Sequence, residues 1–341
     1  MIETLKKLTL TKGVSGDEDY IRKLITYEIK DHVDAIYTDN IGNLIAFKKG
    51  IYPQNKKLML AAHMDEVGLI IKKINDDGYL SFAAMGGIDK RVLLGRRVLI
   101  GDSGIVGVIG TKAVHQQSED ERKKAPDIKK LYIDIGAKNK EEAEKVVSPA
   151  DTAVFDSDFI EFGDGLIKAK ALDNRAGCLA LIEAAKGSVL YDTYFVFTVL
   201  EETGTKGAYT AAFSINPDLA VVVDTTTAAD FEGVKEHERS TKLGEGTVIF
   251  LIEGTAVYKR TSVEKIKNIA DKAGVKWQHK NVAAGGLDSG AIQRTKGGIE
   301  TVAIATPCRY LHSPSCVISK DDLNATVSLV KAIVTSPELL N

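Results

Sequence analysis

The sequence predicts an α/β fold: a mixed, mostly parallel sheet with helices on both faces, plus an inserted small β-rich domain. Three observations carry this reading. The apolar runs Leu58-Met59-Leu60-Ala61-Ala62, Phe195-Val196-Phe197-Thr198-Val199-Leu200 and Leu219-Ala220-Val221-Val222-Val223 lack polar alternation, as expected of strands covered on both faces. Helical patterns alternate with these strands, which is the signature of parallel βαβ units. Between residues 67 and 163 the texture changes to short strands and frequent glycine turns, such as Asp76-Asp77-Gly78, Gly86-Gly87 and Gly101-Asp102-Ser103-Gly104. With 341 residues the chain exceeds what one core usually serves. We therefore expect a discontinuous α/β domain of residues 1–66 and 164–341 and an inserted domain of residues 67–163.

The elements follow in order. Ser15-Gly16-Asp17-Glu18 has the spacing of a capping box, ahead of Tyr20, Ile21, Leu24, Ile25 and Ile29 at helical intervals. Two short strands flank the turn Asp39-Asn40-Ile41-Gly42-Asn43, the second over residues 43–47. The strand over 57–62 then delivers His63-Met64-Asp65-Glu66. Within the insert, the charge run over residues 119–124 reads as a solvated loop and residues 140–147 as a helix. Residues 173–186 form a helix whose small residues Ala176, Gly177 and Ala180 suit close packing on a sheet. Next come a strand over 194–200 ending in Glu201-Glu202, a helix over 206–213, and a strand over 219–223 ending at Asp224. A strand over 247–252 precedes a helix over 263–273 that Gly274 stops. Gly285-Gly286-Leu287-Asp288-Ser289-Gly290 reads as a loop, whose glycines permit close approach to a ligand, so it is expected to border a binding site. A buried strand over 301–305 leads to Arg309-Tyr310-Leu311-His312-Ser313-Pro314, and Ser319 caps the last helix, 321–334.

Composition narrows the function. The apolar fraction of 44% and charged fraction of 27% are ordinary for a globular protein. A net charge of −2 with scattered Lys and Arg gives no electrostatic case for nucleic acid or for an anionic membrane. No apolar run approaches the roughly 20 residues that span a bilayer. The amphipathic N-terminus lacks a signal-peptide core, and three cysteines do not make a disulfide framework, so a cytoplasmic location is expected.

In open α/β sheets, ligands gather beyond the carboxyl ends of the strands. His63, Asp173, Glu202, Asp224 and His312 all fall at such places. Each has a plain structural reading: a core histidine, a helix N-cap, a solvated strand end, a loop residue. Together, two imidazoles and three carboxylates are the donor set that two divalent ions of the zinc class require. A carboxylate shared between ions about 3.5–4 Å apart makes a co-catalytic site. The adjacent pair Glu201-Glu202 would repel itself unless something cationic sat beside it.

His63-Met64-Asp65-Glu66-Val67-Gly68, Ala171-Leu172-Asp173-Asn174-Arg175-Ala176-Gly177, Glu201-Glu202-Thr203-Gly204 with Gly207-Ala208, the Gly285 to Ile292 segment and Arg309-Tyr310-Leu311-His312-Ser313-Pro314 occur in one order. As a set they resemble the signatures of the tetrahedral aminopeptidase family, dinuclear metallopeptidases that include glutamyl and deblocking aminopeptidases and some proteins labelled endoglucanase. The resemblance spans essentially the whole chain. It implies two divalent ions per subunit, Zn or Co, one held by His63 and Asp224, the other by Glu202 and His312, with Asp173 bridging. It implies Glu201 as general base on a bridging water and Asp65 as the carboxylate behind His63, a role metal-site chemistry also asks for. It further implies peptide substrates cut at the N-terminal residue and a homododecamer assembled from dimers. The sequence departs from the family wording at Thr203, over residues 224–233, and over residues 253–260; the last two segments are expected to line the substrate pocket.

Other readings remain open at this stage: a related metal deacylase, a carboxylate-pair glycosidase, and a scaffold without metals. The five metal-type ligands argue against the glycosidase, which needs only two carboxylates across a sugar. His32, His237 and His279 receive no role, His115 is a surface residue with a substrate contact as the alternative, and Cys178 is read as packing.

Overall fold

The structure is a computed structural model and describes residues 1–52 and 56–340. Helices α1 (Ile2–Leu10) and α2 (Asp19–Ile29) precede the strands β1 (Ala35–Thr38), β2 (Leu44–Lys48) and β3 (Lys57–His63). Asp39 makes the β1–β2 turn by accepting from the amides of Ile41, Gly42 and Asn43. The expected capping box at Ser15 does not form: α2 starts at Asp19 without a side-chain cap, and the Ser15 hydroxyl donates instead to Asp65 at 2.6 Å.

The insert is a closed antiparallel barrel of β4 (Gly68–Ile74), β5 (Leu80–Met85), β6 (Arg97–Ile100), β7 (Ile105–Gly110), β8 (Tyr132–Asp134) and β9 (Thr152–Phe155), in the order β4-β5-β8-β7-β6-β9. Closure removes the unpaired edges that such short strands would otherwise expose. One-turn helices α3 (Lys90–Leu93), α4 (Glu119–Arg122) and α5 (Lys140–Ala143) decorate it. The charge run at 119–124 is thus partly helical, because Ser118 and Glu121 complete a capping box. The α5 helix is shorter than the reading over 140–147. The barrel has its own core, including Leu69, Ile71, Phe82, Val98, Ile109, Ile133 and Phe155.

Barrel pairing ends at Phe155. The next strand, β10 (Ile160–Phe162), pairs with β11 (Leu166–Ala169), which pairs with β17 (Cys316–Ser319) near the C-terminal end. Residues 160–162, assigned to the insert by the change in texture, therefore hydrogen-bond within a separate three-stranded sheet.

The remaining elements are α6 (Leu172–Ala185), β12 (Asp192–Thr198), α7 (Lys206–Ile215), β13 (Leu219–Thr227), β14 (Thr247–Ile249), α8 (Arg260–Lys272), β15 (Trp277–His279), α9 (Asp288–Gln293), β16 (Thr301–Cys308), β17, and α10 (Lys320–Val334). The large sheet has the order β1-β2-β12-β3-β13-β16-β14-β15. Its central strands β12, β3, β13 and β16 run parallel; β1, β2 and β14 supply the antiparallel pairs. The α6 helix packs with α1, α2 and α10, while α7 packs with α9, and both groups rest on the central strands. Residues 285–290 are not all loop: α9 begins at Asp288.

Candidate metal centre

The parallel register puts the carboxyl ends of β3, β12 and β13 side by side. Thr198 is level with His63 across the β12–β3 pair, so Glu201 and Glu202 come off next to that histidine. Pairing of β13 with β3 stops at Val222 and Ala61; the same register carried two residues further puts Asp224 level with His63, the last residue of β3, while β13 continues to Thr227. Asp173 is joined to α6 but has φ −84° and ψ 104°, which are not helical angles, so its carboxylate is free to face the sheet edge. His312 lies in the turn between β16 and β17 with φ +56°.

These residues meet in two overlapping groups: His63, Asp173 and Asp224, and Asp173, Glu202 and His312. His63 Nε2 is 3.2 Å from Asp173 Oδ1 and 3.5 Å from Asp224 Oδ1. His312 Nε2 is 3.3 Å from Asp173 Oδ2 and 3.3 Å from Glu202 Oε1. Each Asp173 oxygen thus faces a different imidazole.

Both histidine tautomers follow from their carbonyl partners. A carbonyl only accepts, so His63 Nδ1–H donates to Asp65 O at 3.2 Å and His312 Nδ1–H donates to Gly87 O at 2.9 Å. With Nδ1–H given to a carbonyl, the Nε2 of each ring faces the carboxylate cluster, where it would offer its lone pair to an ion that displaces the proton held there.

Asp65 is fully buried and joins several parts of the site. Its Oδ1 accepts from the Glu201 amide at 3.1 Å and lies 3.5 Å from His63 Nδ1. Its Oδ2 accepts from the Ser15 hydroxyl and from the Glu202 amide, the latter at 3.2 Å. Burial pushes its carboxyl up, but the His63, Ser15 and Glu201 contacts outweigh this and hold it below the usual range.

The electrostatics fit a cation site. Burial and the charge of Asp173 push Glu202 up to about 8. Burial and neighbouring carboxylates also raise Glu201 and Asp224. Burial works against the His312 cation, yet Asp173 and Glu202 raise that group to about 10. Clustered carboxylates thus retain protons that a divalent cation would replace. Among the described residues, buried Glu202 Oε1 has no hydrogen-bond partner and only the His312 ring beside it, which leaves its lone pairs for a cation.

A cavity of about 700 Å³ opens on the cluster and is lined by all five ligand-type residues and Glu201, together with Gly87, Thr225, Ser240, Lys280 and Leu287 among others. Of residues 224–233, residues 224–227 and Ala229 line it and residues 230–233 do not; residues 253–260 do not either, because Glu253 turns inward to bond Thr255 and Ser289. Gly285, Gly286 and Leu287 border the cavity, but Asp288 is buried behind it and accepts from Thr198 at 2.5 Å. His115 is not among the lining residues. The Cys178 thiol donates to His63 O at 3.2 Å, and burial pushes it up to about 12, which fits packing and not nucleophilic chemistry.

Beneath the site, Lys170 Nζ donates to both Glu66 oxygens at 2.8 and 2.9 Å, and Arg175 donates to Met64 O. Glu66 also lies 3.4 Å from Arg175, and all three side chains are buried. The sequence reading missed this triad, as well as Gly87, Ser15 and Lys280.

An α/β sheet whose edge carries two imidazole-carboxylate groups around one shared aspartate has the donor set of a metallohydrolase. The sequence profile described as M42 glutamyl aminopeptidase matches residues 42–329, and the chain belongs to that aminopeptidase family. A putative aminopeptidase of Acetivibrio thermocellus is 42% identical over 97% of each chain. An aminopeptidase structure from the archaeon Desulfurococcus kamchatkensis superposes with a TM-score of 0.94 at 37% identity, covering 100% of this chain and 96% of that one. The TET1 peptidase of Pyrococcus horikoshii, described as able to assemble into a tetrahedron or a large octahedral shell, has a TM-score of 0.86 and 38% identity over 98% of each chain. Among the described residues, no helix is long and apolar enough to cross a membrane.

Proposed function

We propose that the chain removes the N-terminal residue of peptides with the help of two divalent ions, zinc or cobalt. The observation that carries this reading is the Asp173 carboxylate, whose two oxygens each face a different imidazole Nε2. His63 and Asp224 would hold one ion and Glu202 and His312 the other. Such ions supply Lewis acidity, which lowers the pKa of a water and polarises a scissile carbonyl. Glu201 belongs to neither ligand group but lines the same cavity, so its carboxylate is the base that takes the water proton and returns it to the leaving amine. Asp65 fixes the spacing of base and ligand through the amides of Glu201 and Glu202.

The test combines metal analysis with a panel of aminoacyl anilides. The wild type is expected to hold two ions and cleave at least one anilide. Glu201→Gln is expected to keep both ions while kcat falls roughly 10²–10⁴-fold, the usual worth of a general base. Near-wild-type kcat in that variant would refute the role of Glu201.

We also propose a homododecamer built from dimers, in which the barrel supplies subunit contacts. Val106 and Val108 on β7 expose 53% and 43% of their surface, an apolar strip that a second subunit could cover. Light scattering should give a mass near twelve chains; a monomer at micromolar concentration would contradict the assembly.

A further inference from the structure

We propose that the inserted barrel positions one of the two metal sites, the Glu202–His312 site, through the Gly86-Gly87 segment at the end of β5. The inference rests on the two-ion reading above. Three observations carry it. First, Gly87 O accepts the His312 Nδ1 proton at 2.9 Å across 225 positions of sequence, and this bond fixes the tautomer that aims Nε2 at Glu202 and Asp173. Secondly, the segment packs tightly against Val67 and the other terminal ligand: a Cβ at Gly86 would lie 2.8 Å from Val67 Cγ1, 3.1 Å from Glu202 Oε2 and 3.2 Å from Glu202 Cβ. A Cβ at Gly87 would lie 3.4 Å from His312 Nδ1. Thirdly, the backbone is built for this approach: Gly86 has φ +86°, open to glycine and strained for other residues, and its carbonyl accepts from the Ile88 amide at 3.2 Å.

The other site is braced differently. His63 takes its contact from the carbonyl of Asp65, two residues past the end of β3, and Asp224 takes its contact from the Thr225 amide on β13. Among the described residues, the barrel hydrogen-bonds His312 and neither His63 nor Asp224. Gly86 and Gly87 are positioning residues, acting through the two side chains they orient.

The test is a cobalt titration of chelator-stripped full-length protein, followed by the visible absorption of the bound metal. Wild type should take up two ions. Gly86→Ala should bind the first ion within about twofold of wild type and the second roughly 10–100-fold more weakly, the usual cost of a disturbed outer-shell partner. Gly104→Ala is the control: Gly104 is on the same barrel with φ +64°, but nothing lies within 4 Å of a Cβ there, so it carries similar backbone strain without the ligand contact. If Gly86→Ala fails to fold, Gly87→Ala replaces it, because its backbone is not left-handed and its contacts are milder. In 15N-histidine spectra of the zinc-loaded protein, the His312 Nδ1 proton should lose its protection in the variant while that of His63 persists. The proposal is overturned if both ions weaken equally, if Gly104→Ala matches Gly86→Ala, or if Gly86→Ala binds both ions as tightly as wild type. A wild type that binds fewer than two ions would instead refute the two-ion reading, and this proposal with it.

Discussion

Asp65→Asn isolates the residue on which most of the site's internal bonds converge. The substitution keeps the volume but removes the charge and turns one acceptor atom into a donor. If the amide nitrogen replaces Oδ1, it faces both the Glu201 amide and the His63 Nδ1 proton. If it replaces Oδ2, the Ser15 hydroxyl can rotate to accept, and only the Glu202 amide loses its partner. The second arrangement costs less, so it should dominate. One buried amide left unpaired costs about 1–3 kcal/mol, and His63 loses its anionic neighbour as well. Outer-shell changes of this kind weaken metal binding about 10–100-fold, equivalent to about 1.4–2.8 kcal/mol, which agrees with the hydrogen-bond figure. Competition with a chelator should report that loss, with kcat falling alongside because the Glu201 backbone moves. Ser15→Ala provides the comparison: it removes one hydrogen bond worth about 1 kcal/mol and should change affinity only a few-fold. Wild-type affinity and turnover in Asp65→Asn would refute the role of Asp65 as the organiser of base and ligands.

Two further outcomes are expected. Because His312 is raised to about 10 and Glu202 to about 8, the metal-free site carries protons at neutral pH that an incoming ion must displace. Apparent affinity should therefore rise with pH between about 6 and 8, roughly tenfold per unit for each proton released; chelator competition at several pH values, or a pH-stat count, would show a flat response if the reasoning is wrong. Glu66→Gln leaves Lys170 and Arg175 buried without their anion and should cost about 3–5 kcal/mol in chemical denaturation, much of it recovered when Lys170→Met is added. A loss below about 1 kcal/mol would show that the triad is not a closed ionic network.

The sequence by itself determined the layout: buried-type strands alternating with helices, a glycine-rich β insert, and ligand-type side chains where strands give way to loops. Such features depend on neighbours close along the chain, and a parallel sheet must present all its carboxyl ends on one edge. That rule reaches His63, Glu202, Asp224 and His312; Asp173 follows β11, which pairs in the separate antiparallel sheet, so its place beside them was decided by the tertiary structure. Local pattern misled where a residue had a stronger partner elsewhere: Ser15 has capping-box spacing, yet its hydroxyl goes to Asp65, 50 residues away. Glu253 looked like pocket lining but turns inward to Ser289.

What only the tertiary structure decided was which distant segments meet. Strand order β12-β3-β13-β16 does not follow chain order, so the Asp65 contacts to Glu201 and Glu202 leave no periodic trace. The β10-β11-β17 sheet joins residues about 150 positions apart with strands too short to signal themselves. The contact of Gly87 with His312 is least visible of all, because it uses a backbone carbonyl, which every residue has. Side-chain chemistry is written in the sequence; the direction of a main-chain carbonyl is set only when the barrel and the sheet have closed on each other.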